Sequence, residues 1–313
     1  MKGIELARRF YLEHGVPMIE EQFGEYVGVI AVGLVGSGSE CLGYDDEISR
    51  DHDFEPGFCL FLPDEDVVDR RTAFLLERAY AKLPAEFMGF RRTPYDPVGG
   101  NRHGVLRIRD FLQAKTGRED GKLSLLEWFS LPEQSLLEVT NGEIFRDDLG
   151  WFSEIRESLS YFPEDVRLKK LAGNLLLMGQ SGQYNFDRCM RRGEHAAAQL
   201  AIHEFVTSAL KCIFLLKKHY MPYYKWSFRA LREVGVPTEL YDGLEFLLMG
   251  DHTDGAIVRK KATVEAICTS IALEARAQGL SNYAGDVMEG YAYSVNDCIE
   301  DTEIRNLHVL FAV

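Results

Sequence analysis

The chain has 313 residues, 46% of them hydrophobic, which is enough for a full core and, by length, for about two domains. Its 35 Lys and Arg stand against 49 Asp and Glu, and the resulting formal net charge of −14 repels phosphate backbones and argues against general nucleic-acid binding. The 6 cysteines are scattered without CxxC spacing, which excludes a disulfide framework or zinc cluster and points to a reduced cytoplasm.

The N-terminal "MKGIELARRFYLEHG" carries charges every few residues and has no continuous apolar core. No later uncharged run reaches ~18 residues, so a soluble chain without signal peptide or membrane anchor is expected. Residues 3 to 14 read as an amphipathic helix through Ile4, Ala7, Phe10 and Tyr11, interrupted by Gly15 and Pro17 before a short second helix. "EYVGVIAVGLVG" (25 to 36), rich in Val and Ile, reads as a buried strand, and "DFEPGFCLFLP" (53 to 63) as a second strand bent at Pro56-Gly57. A helix follows over "DEDVVDRRTAFLLERAYAKL" with Asp64 as its cap. "GVLRI" (104 to 108) predicts a third strand, and short helices and loops run from there to about 150.

Beyond Trp151 the chain turns strongly helical. "PEDVRLKKLAGNLLLMGQ", "FDRCMRRGEHAAAQLAIHEFVTSALKCIFLLKKHY" and "GAIVRKKATVEAICTSIALEARAQG" are long, rich in Ala and Leu, and free of internal proline. The expected architecture is α+β: a small mixed sheet with flanking helices over 1–150, then an all-α bundle over 151–313, with the boundary between 145 and 155.

The stretch "VGSGSECLGYDDEISRDHDF" (35 to 54) concentrates the chemistry. Asp51 and Asp53 are two residues apart, which on a strand places both carboxylates on one face, about 7 Å apart, with His52 on the other. Hard divalent cations take oxygen ligands, and Mg²⁺ commonly uses one or two carboxylates together with substrate phosphates. Upstream, glycines at a strand end let backbone N–H groups approach a phosphate, and Ser37 or Ser39 adds a hydroxyl donor. Rival motifs fail at named positions. Gly38 is followed by Ser39 and Glu40, so the lysine of a Walker A loop is missing. Cys41 stands where a dinucleotide fingerprint needs its third glycine, and neither serine sits in Gly-x-Ser-x-Gly. Asp45, Asp46 and Glu47 read most simply as a solvated acidic loop, and for Asp51 and Asp53 the alternative is a capping or turn role.

Gly38-Ser39, eleven intervening residues, then Asp51-His52-Asp53-Phe54 resembles the signature of the polymerase-beta-like nucleotidyltransferase superfamily. Gly38-Ser39-Glu40-Cys41-Leu42-Gly43 is similar to the Gly-Ser-x-x-x-Gly form of small bacterial members and antibiotic nucleotidyltransferases. "GEIFRDDLGWFSEIRESLSYFPEDVRLKKLA" and "YMPYYKW" resemble a large group of uncharacterised bacterial nucleotidyltransferase-like proteins, catalogued as a domain of unknown function. The resemblance implies a nucleotidyltransferase-type sheet in the first domain. It implies Mg²⁺ or Mn²⁺ held by Asp51 and Asp53, and an NTP, ATP foremost, seated by Gly38, Ser39 and Ser37. A substrate hydroxyl would attack the α-phosphorus and pyrophosphate would leave. One departure stands out. The superfamily's third carboxylate, on a later strand, has no counterpart in "GVLRIRD", where Arg107 occupies the expected place and Asp110 falls beyond the strand.

By the same resemblance, the helical half supplies nucleotide-contacting basic groups and a glutamate base. Arg188 and Arg192, at i, i+4, with Glu194 close by, fit that pattern, although such charged groups are more often a solvated helix face than a site. Lys225 follows a proline turn and is placed to contact phosphate, with Tyr224 or Trp226 lining a base pocket; Trp226 alone reads as core packing. His195 and His203, eight apart without an HExxH pattern, read as structural or exposed.

The expected activity is transfer of NMP from an NTP to a small-molecule or protein acceptor. The alternatives are a catalytically silent nucleotide-binding or interaction module, motivated by the missing third acid, and a tRNA-directed, toxin-like transferase, which needs a local basic groove built from Arg91, Arg92, Arg102, Arg107 and Arg109.

Overall fold

The computed structural model describes residues 1–51, 54–93, 102–250 and 253–313. They divide into two compact units, Met1–Ser124 with Leu131–Ser160, and Leu125–Ser130 with Tyr161–Val313.

The first unit opens with α1 (Gly3–Phe10) and α2 (Val16–Phe23), which the π turn Tyr11–Gly15 joins into one helical run. The break expected at Gly15 and Pro17 does not occur. Pro17 falls in the first turn of α2, and the widened π turn, through which Val16 N–H reaches back to the Tyr11 carbonyl, carries the chain past its missing N–H. Gly15 is there for space: an added Cβ would sit 2.6 Å from the ring of Phe58, which is fully buried.

Four strands form a mixed sheet in the order β5-β2-β1-β6. They are β1 (Ala31–Leu34), β2 (Cys59–Leu62), β5 (Gly104–Arg107) and β6 (Glu143–Arg146). β1 runs antiparallel to β2 and to β6, with a bulge at Val32/Gly33 on the β6 side, and β2 runs parallel to β5. The two central strands are buried at every residue, which accounts for their unbroken apolar runs. β3 (Glu86–Phe87) and β4 (Phe90–Arg91) form a separate hairpin through Met88 and Gly89, both at positive φ as a two-residue hairpin turn requires.

Three expectations for this unit are corrected. The second strand is only Cys59–Leu62, because Pro56 and Gly57 keep the preceding residues off the ladder. The helix after it, α3 (Arg70–Ala81), is capped by Asp69, whose carboxylate accepts from Thr72 N at 2.6 Å, whereas the Asp64 carbonyl closes the turn before it. The segment read as short helices and loops contains α4 (Ile108–Thr116) and α6 (Glu133–Thr140), with α5 (Leu125–Ser130) of the second unit between them in sequence, but also the strand β6 before α7 (Trp151–Ser158). Aromatic rings fill the core behind the sheet: Phe58 contacts Phe10, Tyr11 and Tyr80 at centroid distances of 5.9, 5.4 and 5.1 Å.

The second unit is helical throughout. Its axis is α8 (Glu164–Met178), which runs through a π stretch, Gly179–Phe186, into α9 (Asp187–Arg191). The long helix expected over 186 to 220 is divided at Arg192-Gly193-Glu194, where Gly193 takes φ +74°, and α10 (His195–Leu216) follows. α11 (Tyr224–Glu233), α12 (Thr238–Met249), α13 (Asp254–Ala277), α14 (Met288–Asn296) and α15 (Thr302–Asn306) complete it. Among the described residues α10 is the one helix long and apolar enough to cross a membrane by length and composition, and it is mostly buried within the unit.

α8 buries charge as well as carbon. Lys169 is fully buried, and its ammonium donates to Asn296 Oδ1 (2.7 Å) and to the carbonyls of Leu307 (2.6 Å) and Arg305 (3.2 Å). Desolvation pulls its pKa down, and three oxygens in place of water keep the burial tolerable.

Gly15→Ala forces the buried Phe58 ring to move and is expected to cost about 1–3 kcal/mol, the usual range for overpacking. Urea unfolding should show a lower midpoint at unchanged slope; an unaltered midpoint would mean that the π turn yields instead.

Candidate functional site

The carboxyl end of β1 and the amino ends of β2 and β5 meet at one edge of the sheet, as the registers Gly33 to Cys59 and Cys59 to Gly104 require. There the chain leaves β1 through Gly36 (φ +108°), Ser37, Gly38 (φ +123°) and Ser39, conformations that side chains rarely adopt. The glycine turn expected after the first strand is therefore present.

Its backbone is held from outside. Gly36 N–H donates to Asn141 Oδ1 (2.9 Å) and Asn141 Nδ2 donates back to the Gly36 carbonyl (2.8 Å). Arg156, half-buried on α7, donates to the carbonyls of Thr140 (2.9 Å) and Asn141 (2.7 Å), and desolvation lowers its guanidinium to about 10. Arg102 Nη2 donates to the Ser37 carbonyl (2.6 Å) and pairs with Glu40. A Cβ on Gly38 would lie 2.2 Å from that guanidinium nitrogen, so the space that Gly38 leaves open is taken by the Arg102–Glu40 pair. The Ser39 carbonyl accepts from Leu42 N (3.2 Å) and Tyr44 N (2.8 Å), which closes the far side of the turn.

Beyond the turn, Asp45 is buried and does not belong to a solvated loop. It accepts from Gly3 N (2.9 Å) at the start of α1 and faces Lys2 at 3.6 Å. Asp46 accepts from Ile48 N and Ser49 N (3.0 Å each) and starts the 3₁₀ turn Ile48–Asp51. The Asp51 backbone thus closes a 3₁₀ turn, which corrects the placement of Asp51 on an extended strand. His52 and Asp53 lie outside the described residues.

Glu55, two positions after Asp53 in sequence, marks the same sheet edge. Its carboxylate lies 3.1 Å from His103 Nδ1, directly before β5, and accepts from Thr93 N. Burial raises its pKa, but the His103 contact and the Thr93 N–H outweigh this and hold it at about 2. The described β5 carries no acid. Arg107, at its end, donates through Nη1 to the carbonyls of Pro63 and Val68 (2.7 Å each).

A cavity of about 290 Å³ opens beside the turn, lined by Gly36, Ser37, Arg102, Asp110 and Lys115 among others. Lys115, on α4, donates to Ser37 Oγ (3.2 Å), and both Lys115 and Ser37 (2.9 Å) donate to Glu138 Oε2 on α6. Burial raises the Glu138 pKa, but its contacts with Gln134, Lys115 and Ser37 bring it below the usual carboxylate value. Lys115, Glu138, Asn141, Arg156, Glu55 and His103 escaped sequence reasoning. Apart from Gln134, their partners named above lie 15 to 105 residues away in the chain, and only Glu55, beside the aspartates, had a local signal.

The helical candidates form no cluster of their own. Arg188 bonds to the Tyr184 hydroxyl and stacks on its ring at 4.5 Å. Arg192 caps the end of α9, and Glu194 precedes α10 across the Gly193 turn; both are exposed. Lys225 and Arg229 lie against Trp226 at 5.3 and 5.7 Å, and Tyr224 packs on Tyr223 at 4.3 Å. His195 and His203 are exposed on α10. The five arginines that would form a basic groove are each engaged. Arg92 lies over Phe10 and Tyr80, Arg91 faces Glu86, Arg109 faces Glu65 and Asp110, and Arg102 and Arg107 are held as above.

Residues 128–227 match a family model described as a domain of unknown function (DUF4037). The match covers about a third of the chain and includes Glu138, Asn141 and Arg156 from the site. No curated protein and no solved structure matches. Among the described residues no group of three or more His, Cys, Asp and Glu is placed to hold a metal ion.

Because Glu55 has a folded pKa of about 2 against 4.5 when unfolded, its stabilisation is complete above about pH 4.5 and is lost as pH falls towards 2. The loss is on the order of 2–3 kcal/mol. Glu55→Gln should flatten the stability profile in that window relative to the parent and leave the slope above pH 5 alone. Parallel profiles for the two proteins would exclude the pairing.

Proposed function

We propose that the protein is a divalent-cation-dependent nucleotidyltransferase that moves NMP from an NTP, ATP foremost, to a hydroxyl of a small molecule or protein. The observation that carries the proposal is the glycine-serine turn at the carboxyl end of β1. Its conformation is fixed by Asn141 and Arg102, and it lies beside a cavity with Lys115 and Ser37 on its wall. Such a turn offers backbone donors to a polyphosphate, and the Ser37 hydroxyl can join them once it leaves Glu138.

Asp51 and Asp53 are the donors assigned to Mg²⁺ or Mn²⁺; two carboxylates and the substrate's own phosphate oxygens suit a hard cation. When bound, that cation offsets the charge that builds on the phosphates. In the reaction an acceptor oxygen bonds to the α-phosphorus, the bridge to the β-phosphate breaks, and pyrophosphate leaves with its electron pair. The proton of the acceptor passes to a base, for which Glu194 is the candidate. Ser37, Ser39 and Gly38 seat the phosphates, and Lys225, Arg192 and Arg188 are the further nucleotide-contacting candidates.

One observation favours a second reading. β5 carries Arg107 where a third acid would complete the site, and this arginine is committed to backbone carbonyls. A silent nucleotide-binding module needs no third acid.

Titration calorimetry with each NTP and Mg²⁺ is expected to show binding that weakens at least about tenfold in the Asp51→Asn, Asp53→Asn double variant. Binding of no NTP, or binding indifferent to that change, would sink the proposal. Binding without pyrophosphate release across a panel of acceptors would select the silent module.

A further inference from the structure

The cation beside the glycine turn already holds an anion. Lys115 Nζ and Ser37 Oγ both donate to the same oxygen, Glu138 Oε2, while the other oxygen of that carboxylate accepts from Gln134 Nε2 at 2.8 Å. An ammonium and a turn hydroxyl converging on one anionic oxygen make the donor set that receives a phosphate oxygen. Here a side chain of the protein fills it.

Two features separate this arrangement from an ordinary helix-to-helix ion pair. A pair joining α4 to α6 needs only Lys115 and Glu138, yet the hydroxyl of Ser37, between the positive-φ Gly36 and Gly38, is drawn in as well. The two donors also stand at a cavity wall, and all three groups are reachable from solvent: Ser37 is exposed, and Lys115 retains 22% and Glu138 14% of side-chain accessibility.

We propose that Ser37 and Lys115 form a polyphosphate-receiving subsite and that Glu138 is its internal competitor, displaced when a phosphate oxygen takes over both donors. The proposal rests on phosphate binding at the glycine turn. A carboxylate carries less charge than a terminal phosphate, so the exchange favours the phosphate, but its cost is subtracted from affinity. Gln134 gives the displaced carboxylate one partner to keep.

Calorimetric titration with inorganic tripolyphosphate, which lacks base and sugar, tests the subsite directly, and ATP with Mg²⁺ is run beside it. Glu138→Gln is expected to bind tripolyphosphate about tenfold more tightly than the parent, because removing the resident charge leaves Lys115 unneutralised. Lys115→Met and Ser37→Ala are expected to weaken it, the lysine change by about tenfold or more. Glu138→Asp keeps the charge but withdraws the oxygen, and is expected to fall between parent and Glu138→Gln. Thermal melts confirm that each variant is folded, and Glu138→Asp takes the place of Glu138→Gln should the latter unfold.

Affinity unchanged or reduced in both Glu138 variants would overturn the proposal, as would tripolyphosphate binding that ignores Lys115→Met, or no binding by any variant. If ATP binds in a manner sensitive to Asp51 and Asp53 while the Lys115 and Glu138 variants behave as the parent, the subsite falls and the transferase reading stands. If tripolyphosphate responds as expected while no NTP distinguishes the aspartate variants, the subsite stands without the transferase.

Discussion

The side-chain amide of Asn141 is the contact on which the site depends. It occupies both hydrogen-bonding groups of Gly36 at the point where β1 ends and its ladder can no longer satisfy them. Without such a partner a turn through two positive-φ glycines would sample many shapes. With it, the turn has one. Arg156 secures the amide in turn by holding the carbonyls on either side of the Thr140-Asn141 peptide, and Gly142 lets that corner approach the end of β1, since a Cβ there would meet the Leu34 carbonyl at 2.0 Å. Three elements distant in sequence thus fix four residues.

The electrostatics of the sheet edge follow from that framework. In a chain with a net charge of −14, two cations near the turn are each matched to an acid, Arg102 to Glu40 and Lys115 to Glu138, and the His103 ring lies against Glu55. Such pairs, partly shielded from water, are stronger than surface ion pairs and slower to be traded. An anion arriving at this edge meets fixed backbone donors but cations already in use. Selectivity here becomes a matter of exchange, decided by which acceptor carries more charge in the right geometry.

Much of this architecture was legible because it is local. The apolar run at 31–34, the glycines after it, the strand at 104–107 and the helical second half all follow from patterns within a dozen residues. Where the reading failed, a neighbour or a partner decided. Asp69 caps α3 in place of Asp64 because its carboxylate reaches Thr72 N, a choice that two similar residues five apart do not reveal. β6 is four half-buried residues without alternation, and only pairing with β1 makes it a strand. Gly193, between Arg192 and Glu194, did announce the break before α10, and the sequence reading ran one helix through it. The Ser37–Glu138 and Gly36–Asn141 contacts span 101 and 105 residues, so no local pattern encodes them.

Lys169 has a consequence for how the helical unit comes together. The acceptors of its ammonium, Asn296 and Leu307, are 127 and 138 residues further along the chain. Until that distant segment arrives, α8 must keep this face wet, since closing it over a bare ammonium costs more than the surrounding carbon returns. Docking of the 296–307 stretch is therefore the step that permits desolvation, and an α8 deprived of it would behave as a swollen, hydrated helix. The folded bundle keeps this face of α8 dry only with that C-terminal stretch in place.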